Sequence, residues 1–220
     1  MVAEKTDKKG KKEVWGERLK KIFSPQIWRS YVKKQISFPE RRVMWYVIQT
    51  MTGKEEELTE VLDKMLPQTI CEKSFLIKRE TCWRLKGEHK IQKEILFPGY
   101  VFVKTQTPET LYYQLKKVPK LSKLLSDGEE EFLPVREDEQ EFLESLITIE
   151  QAEEKEEYIV KRSEIETDEE GNIVWAGDPL SQYLGNVVRK RIRKRYVVIE
   201  KELFGKKRTV LLSIRLKGEE

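Results

Sequence analysis

The chain of 220 residues is 38% hydrophobic and 37% charged, with a net charge of +4, a composition that fits two small domains better than one deep core. No apolar run approaches the roughly eighteen residues of a membrane-spanning helix, and the lysine-rich start lacks the apolar core of a secretory signal, so a cytoplasmic protein without membrane attachment is expected. Cys71 and Cys82 are spaced for neither a zinc knuckle nor a CxxC redox pair; both are read as reduced thiols, and no metal or other cofactor is expected.

The small net charge hides a strong segregation. Residues 1–42 carry 13 basic and 5 acidic side chains (net +8), residues 43–170 carry 18 and 29 (net −11), and residues 171–220 carry 12 and 5 (net +7). A local basic face concentrates polyanions within a Debye length, so both ends suit nucleic acid.

In chain order, residues 1–42 are a basic extension. Its lysine stretch cannot bury enough apolar area to fold. The rest of the extension is either disordered or two short amphipathic helices, with Trp15, Leu19, Ile22 and Phe23 at helical spacing and Ser24-Pro25 opening a second helix in which Ile27, Trp28, Tyr31 and Val32 resume the pattern. From Val43 the pattern is that of a compact α/β domain closing near residue 147. Met44 to Thr50 reads as a strand. Leu58, Val61, Leu62, Met65 and Leu66 then predict a helix that ends at Pro67. Ser74 to Lys78 and Cys82 to Leu85 alternate as strands, Lys86-Gly87-Glu88 marks a turn or loop, and Ile95 to Lys104 reads as one central strand. Thr107-Pro108 starts a second helix that Pro119 stops, Asp127-Gly128 marks a turn, and Phe142, Leu143 and Leu146 predict a third helix. The glutamates at 55–57 and 129–131 are read as solvated faces and turns.

Residues 148–157 have linker composition, and repulsion between their glutamates should keep them extended. From residue 158 to 220, short β segments at Tyr158 to Val160, Ile173 to Trp175, Val187-Val188, Tyr196 to Ile199 and Thr209 to Ile214 predict a small β-barrel. Arg189, Lys190, Arg191, Arg193, Lys194 and Arg195 fall within seven residues between two of these strands, and Lys206, Lys207 and Arg208 occupy the next hairpin. The two hairpin tips are expected to be adjacent and to form one basic surface. Phosphate neutralisation there, with stacking by Tyr196, would give salt-sensitive RNA binding; the bland reading is a solvated basic loop.

Trp45-Tyr46, Gly53-Lys54-Glu55 and Phe97-Pro98-Gly99-Tyr100, in this order between Val43 and Leu146, resemble the NusG family of transcription elongation factors. The resemblance implies an α+β fold: a NusG N-terminal (NGN) α/β sandwich, with Phe97-Pro98-Gly99-Tyr100 on its central strand, followed by a small SH3-like β-barrel (KOW) domain. It implies RNA polymerase as a partner, bound at the clamp helices of its large subunit through Trp45, Tyr46, Phe97, Pro98, Gly99 and Tyr100, although these aromatics also read as core. The KOW match is looser: Gly185 and Phe204-Gly205-Lys206 through Val210 suit it, Asp178 to Tyr183 only in part. With its basic run the chain resembles most a specialised paralogue of the LoaP type, a processive antiterminator that binds an RNA hairpin through the KOW domain. A general NusG-type elongation factor and a KOW-containing ribosome-associated protein are the alternatives.

Lys78, Arg79, Arg84, Lys86 and Lys90 are candidates for upstream or non-template DNA, or equally a solvated strand edge. The chain is expected to act as a monomer. Enzymatic chemistry is not expected: His89 is the only histidine, it sits in a charged stretch, and no phosphate-binding glycine motif accompanies it.

Overall fold

The computed structural model describes residues 44–85, 88–117, 120, 132–152 and 155–219. The expectations for residues 1–42, for Lys86-Gly87, for Pro119 and for Asp127-Gly128 lie outside the described residues. The elements are β1 (Met44–Gln49), α1 (Glu55–Met65), β2 (Lys73–Phe75), β3 (Ile77–Leu85), β4 (Glu88–Ile95), β5 (Tyr100–Thr105), α2 (Pro108–Lys117), β6 (Phe132–Pro134), α3 (Glu137–Leu146), β7 (Thr148–Ala152), β8 (Lys155–Val160), β9 (Ser163–Thr167), β10 (Ile173–Ala176), β11 (Val187–Arg191), β12 (Tyr196–Leu203) and β13 (Lys206–Leu216). They fall into two compact units that are discontinuous in sequence, one built from the residues up to Ser74 with Gly99–Val135, the other from Phe75–Pro98 with Arg136–Glu220.

The first unit holds a four-stranded sheet in the order β2-β5-β1-β6, with β1 antiparallel to both β5 and β6. Trp45, Tyr46, Val47 and Ile48 are all buried, so β1 is covered on both faces, as an unbroken apolar run requires. Tyr46 stacks on Phe132 at 4.9 Å between ring centroids, and Trp45 meets Phe102 edge-on. The helix α1 buries Leu58, Val61 and Leu62 and packs on β5. In α2, Leu111 and Leu115 form the buried stripe, and Lys116 and Lys117 in the last turn complement the helix dipole.

Ile95 to Lys104 is not one strand. The chain leaves β4 at Ile95 and resumes as β5 at Tyr100, so Phe97, Pro98 and Gly99 form a turn rather than a central strand. Proline brings no N–H to a ladder, and Gly99 takes φ +81°, a left-handed conformation that ends the extended run. A Cβ at Gly99 would lie 3.3 Å from the Thr50 carbonyl oxygen, so backbone passes close on that side as well.

In the second unit, one sheet runs β4-β3-β8-β7 and another β10-β9-β13-β12-β11. The expected 148–157 linker is instead the β7–β8 hairpin, with β8 parallel to β3. Its Glu150 and Glu157 are each met by lysine. Lys93 meets Glu157 at 2.6 Å and Glu150 at 3.2 Å, Lys161 meets Glu150 at 2.9 Å, and Lys78 lies 3.7 Å from Glu157. These bonds hold the Glu150 and Glu157 carboxyls below the usual carboxylate range and raise Lys93 and Lys161, each chiefly through its closest hydrogen bond.

The five-stranded sheet encloses Ile165, Leu180, Val197, Ile199, Leu212 and Ile214. Where a small β-barrel is expected, the sheet is a half-barrel with β10 and β11 at its edges. Between them the chain forms a 3-10 segment, Leu180–Asn186, that buries Leu180 instead of adding a strand. A bond from Lys190 Nζ to Asn172 Oδ1, 3.1 Å, links the two edges at one end.

Candidate nucleic-acid interface and aromatic sites

The first meander turn, after β11, is Ile192–Lys194 with Arg195 in the left-handed region at φ 57°. The turn after β12 is made by Phe204 and Gly205, both at positive φ. Successive turns of an antiparallel meander lie at opposite ends of the shared strand, and β12 has eight residues. The two basic tips are therefore about 25 Å apart along the strand and do not form the single surface expected from their nearness in sequence.

Register divides the basic run further. Arg189 is opposite Val198 and Arg191 opposite Tyr196, so these four share a face, whereas Lys190 is opposite Val197 and reaches Asn172 on the other side. Arg195 is engaged: Nε donates to Glu219 Oε2 at 2.9 Å, Nη1 to the Ile192 carbonyl at 2.7 Å, and Nη2 also bonds Glu219. Lys207 pairs with Glu200 at 2.5 Å, and Arg208 donates to the Leu203 carbonyl at 3.1 Å with its guanidinium 5.5 Å from the Phe204 ring centroid. Lys206 is exposed beside them. Arg189, Arg191, Arg193 and Lys194 are exposed and make no ion pair with a described residue. They form the concentrated free charge of the half-barrel.

Of the candidates for DNA, Lys78 approaches Glu157, and Arg79 pairs with Glu94 at 2.9 Å. Lys90 is exposed. Arg84 and Lys86 have no described side chains.

The aromatic set is mostly interior. Trp45 and Tyr46 are buried in the first unit, and Phe97 is buried against Phe204, ring centroids 5.9 Å apart, in the second. Pro98 is exposed and Tyr100 half-buried, its hydroxyl accepting from Gln49 Nε2 at 3.1 Å. Without rearrangement, a partner could reach only these last two side chains.

The buried acids give no signal of their own in the sequence. Glu55, expected on a solvated face, is 2% exposed. Its two oxygens accept the Gly53 and Gly99 N–H groups, each at 2.7 Å, tying the start of α1 to the Pro98-Gly99 turn. Glu139 is 1% exposed and accepts the Phe204 N–H at 2.7 Å and the Arg136 N–H at 2.9 Å. Desolvation nevertheless pushes its carboxyl above the usual carboxylate range. Burial, helped by Asp63, pushes the Cys71 thiol up to about 12. Among the described residues, no group of three or more His, Cys, Asp or Glu could hold a metal ion, and no helix is long and apolar enough to cross a membrane.

Residues 43–144 match a family model described as "Transcription termination factor nusG". Two curated relatives are named transcription termination/antitermination protein NusG, from two strains of Helicobacter pylori. They are 22% and 24% identical over 89 residues, which are 38% of this chain and 51% of each relative. The chain thus spans about half the length of the curated relatives it matches. A solved structure titled "Domain interaction in Thermotoga maritima NusG" is 18% identical, with a TM-score of 0.34, and the match covers 78% of this chain and 94% of that one. The aromatic and Pro-Gly motifs between Val43 and Leu146 coincide with the matched segment, so it is this part of the chain that is similar to the NusG family model.

Proposed function

We propose that the chain is a non-catalytic transcription elongation and antitermination factor that binds RNA polymerase through its NusG-family segment and RNA through the basic edge of its half-barrel. The observation that carries the RNA reading is the free charge of Arg189, Arg191, Arg193 and Lys194 on and after an edge strand, in a unit where many other cations are paired with glutamates. Alternate residues of a strand rise about 6.6 Å, so Arg189 and Arg191 are spaced to meet neighbouring phosphates of one strand. Tyr196 shares their face and supplies a ring for stacking. In this reading the half-barrel acts as a KOW-like module, the protein is of the LoaP type, and an RNA hairpin in a leader transcript is the ligand. Polymerase contact falls to the accessible part of the aromatic set, Tyr100 and Pro98, aimed at the clamp helices.

The test is binding of the full chain to leader RNA hairpins over a salt series, with Arg189→Ala/Arg191→Ala/Arg193→Ala for comparison. Loss of three phosphate contacts should flatten the dependence of log K on log salt by roughly 2 to 3. Equal slopes for the two proteins, or equal affinity for every RNA, would remove the hairpin reading and leave a general NusG-type role.

A further inference from the structure

We infer that Trp83 on the β3–β4 hairpin is a stacking platform for an unpaired base of single-stranded nucleic acid. Trp83 is 58% exposed. Exposure alone says little, since isolated apolar side chains are common on protein surfaces. What distinguishes this indole is that its orientation is held. Nε1 donates to Glu94 Oε1 at 3.2 Å, and the other oxygen of Glu94 accepts from Arg79 at 2.9 Å. A ring fixed at its edge by a carboxylate that is itself fixed by an arginine loses little rotamer freedom when something stacks on its face.

The register surrounds that face with groups that suit a nucleotide. Trp83 is opposite Lys90, Thr81 opposite Gln92, and Arg79 opposite Glu94, so all six share one side of the hairpin. Lys90 and Gln92 are exposed, and Lys90 makes no ion pair with a described residue. The ring thus has beside it a free cation for a phosphate and an amide able to donate to and accept from a base edge. Beyond Arg79, the only ladder partner of β3 among the described residues is β4, because β8 pairs with Ile77, Lys78 and Arg79.

Single strands fit this arrangement and duplexes do not, because a duplex presents stacked base edges and gives a ring no free base face. A protein partner fits less well. Aromatic anchors of protein interfaces lie in desolvated, apolar-ringed pockets, and the neighbours of Trp83 are lysine, glutamine and a glutamate. Trp83 lies on the β3–β4 hairpin and the basic run on and after β11, and stacking on the indole does not depend on that strand binding RNA.

The experiment uses the full chain carrying Arg189→Ala/Arg191→Ala/Arg193→Ala, so that β11 does not mask the hairpin, with Trp83 intact or replaced by Ala or Phe. Binding of a twelve-residue oligothymidylate is measured by fluorescence anisotropy beside an abasic strand of the same length and the corresponding duplex. The expected result is binding of the oligothymidylate that weakens about ten- to a hundredfold with Trp83→Ala and only a few-fold with Trp83→Phe, while the abasic strand and the duplex respond to neither. Thermal unfolding checks that both variants stay folded, as an exposed site predicts. Four results would overturn the inference: no binding of the oligothymidylate while Trp83 is intact, equal binding with Trp83→Ala, an equal loss on the abasic strand, or a loss confined to polymerase capture. The last would make Trp83 a protein contact.

Discussion

The carboxylate of Glu139, in the first turn of α3, accepts the backbone N–H of Phe204 at 2.7 Å, 65 residues further along the chain. The donor belongs to a non-glycine residue at φ 54°, in the turn between β12 and β13, and the Phe204 ring lies edge-on to Phe97 and under Arg208. The same carboxylate accepts from the Arg136 N–H and lies 3.2 Å from its guanidinium. One buried acid therefore anchors the α3 cap and the β12–β13 turn together.

Because desolvation raises the Glu139 carboxyl above its ordinary value of 4.5, the folded protein binds this proton more readily than the unfolded chain. Stability should therefore fall as pH rises through the interval just above 4.5, and recover as pH is lowered back through it. Glu150 and Glu157, whose carboxyls are lowered, act in the opposite sense, and their contribution is lost only as pH falls below 4.5. Urea unfolding at closely spaced pH values should show the first trend in wild type and lose it in Glu139→Gln. Glu139→Ala, which leaves two N–H groups without their acceptor, should cost about 2–4 kcal/mol.

Glu55→Ala should be nearly as damaging as a core truncation, about 2–3 kcal/mol, although the position reads as surface. It removes the acceptor of the Gly53 and Gly99 N–H groups. Gly99→Ala should also destabilise, by about 1–2 kcal/mol, through its positive φ and the approach to Thr50. Thermal unfolding of the two single variants and the double variant checks this; non-additivity would show that the carboxylate and the turn act as one unit.

For the polymerase reading, Tyr100→Ala and Phe97→Ala should part company. Tyr100 is half-buried, so its truncation should reduce polymerase capture several-fold with a small change in unfolding temperature. Phe97 is core, so its truncation should cost about 3–5 kcal/mol, and any loss of capture should follow the loss of folded protein. Capture assays read beside unfolding curves separate the two.

Within the basic run, Arg193→Ala should weaken RNA binding and flatten its salt dependence while leaving stability within about 0.5 kcal/mol. Arg195→Ala should do the reverse, lowering stability by about 1 kcal/mol with little effect on RNA, because its guanidinium is held by Glu219 and the Ile192 carbonyl. Filter binding and thermal unfolding on the same two proteins test the contrast.

These contrasts mark where the sequence can be read and where it cannot. Leu58, Val61 and Leu62, or Phe142, Leu143 and Leu146, reveal their helices because period and burial are local properties. Glu55 and Glu139 look like ordinary surface acids because the N–H groups that make their burial tolerable come from residues 44 and 65 positions away. The acidic stretch after α3 looks like a linker because Lys93, the lysine that meets both Glu150 and Glu157, is 57 and 64 residues distant from them. The basic run is legible as charge, but its division between faces depends on the β11–β12 register, and the engagement of Arg195 on Glu219, which lies beyond the end of β13. Trp83 is hidden because alternation explains a strand residue equally well whether its face is covered or bare.

The chain has only two thiols, Cys71 and Cys82, and their settings differ. Cys71 is buried with its thiol pushed up to about 12, whereas Cys82 is half-buried on β3, across from the exposed Ile91 and on the side of the hairpin opposite Trp83. Thiolate chemistry should therefore select Cys82. A maleimide dye would then mark the hairpin at one point in the unmodified sequence, on the side away from the indole, and report on the arm while the stacking face stays clear.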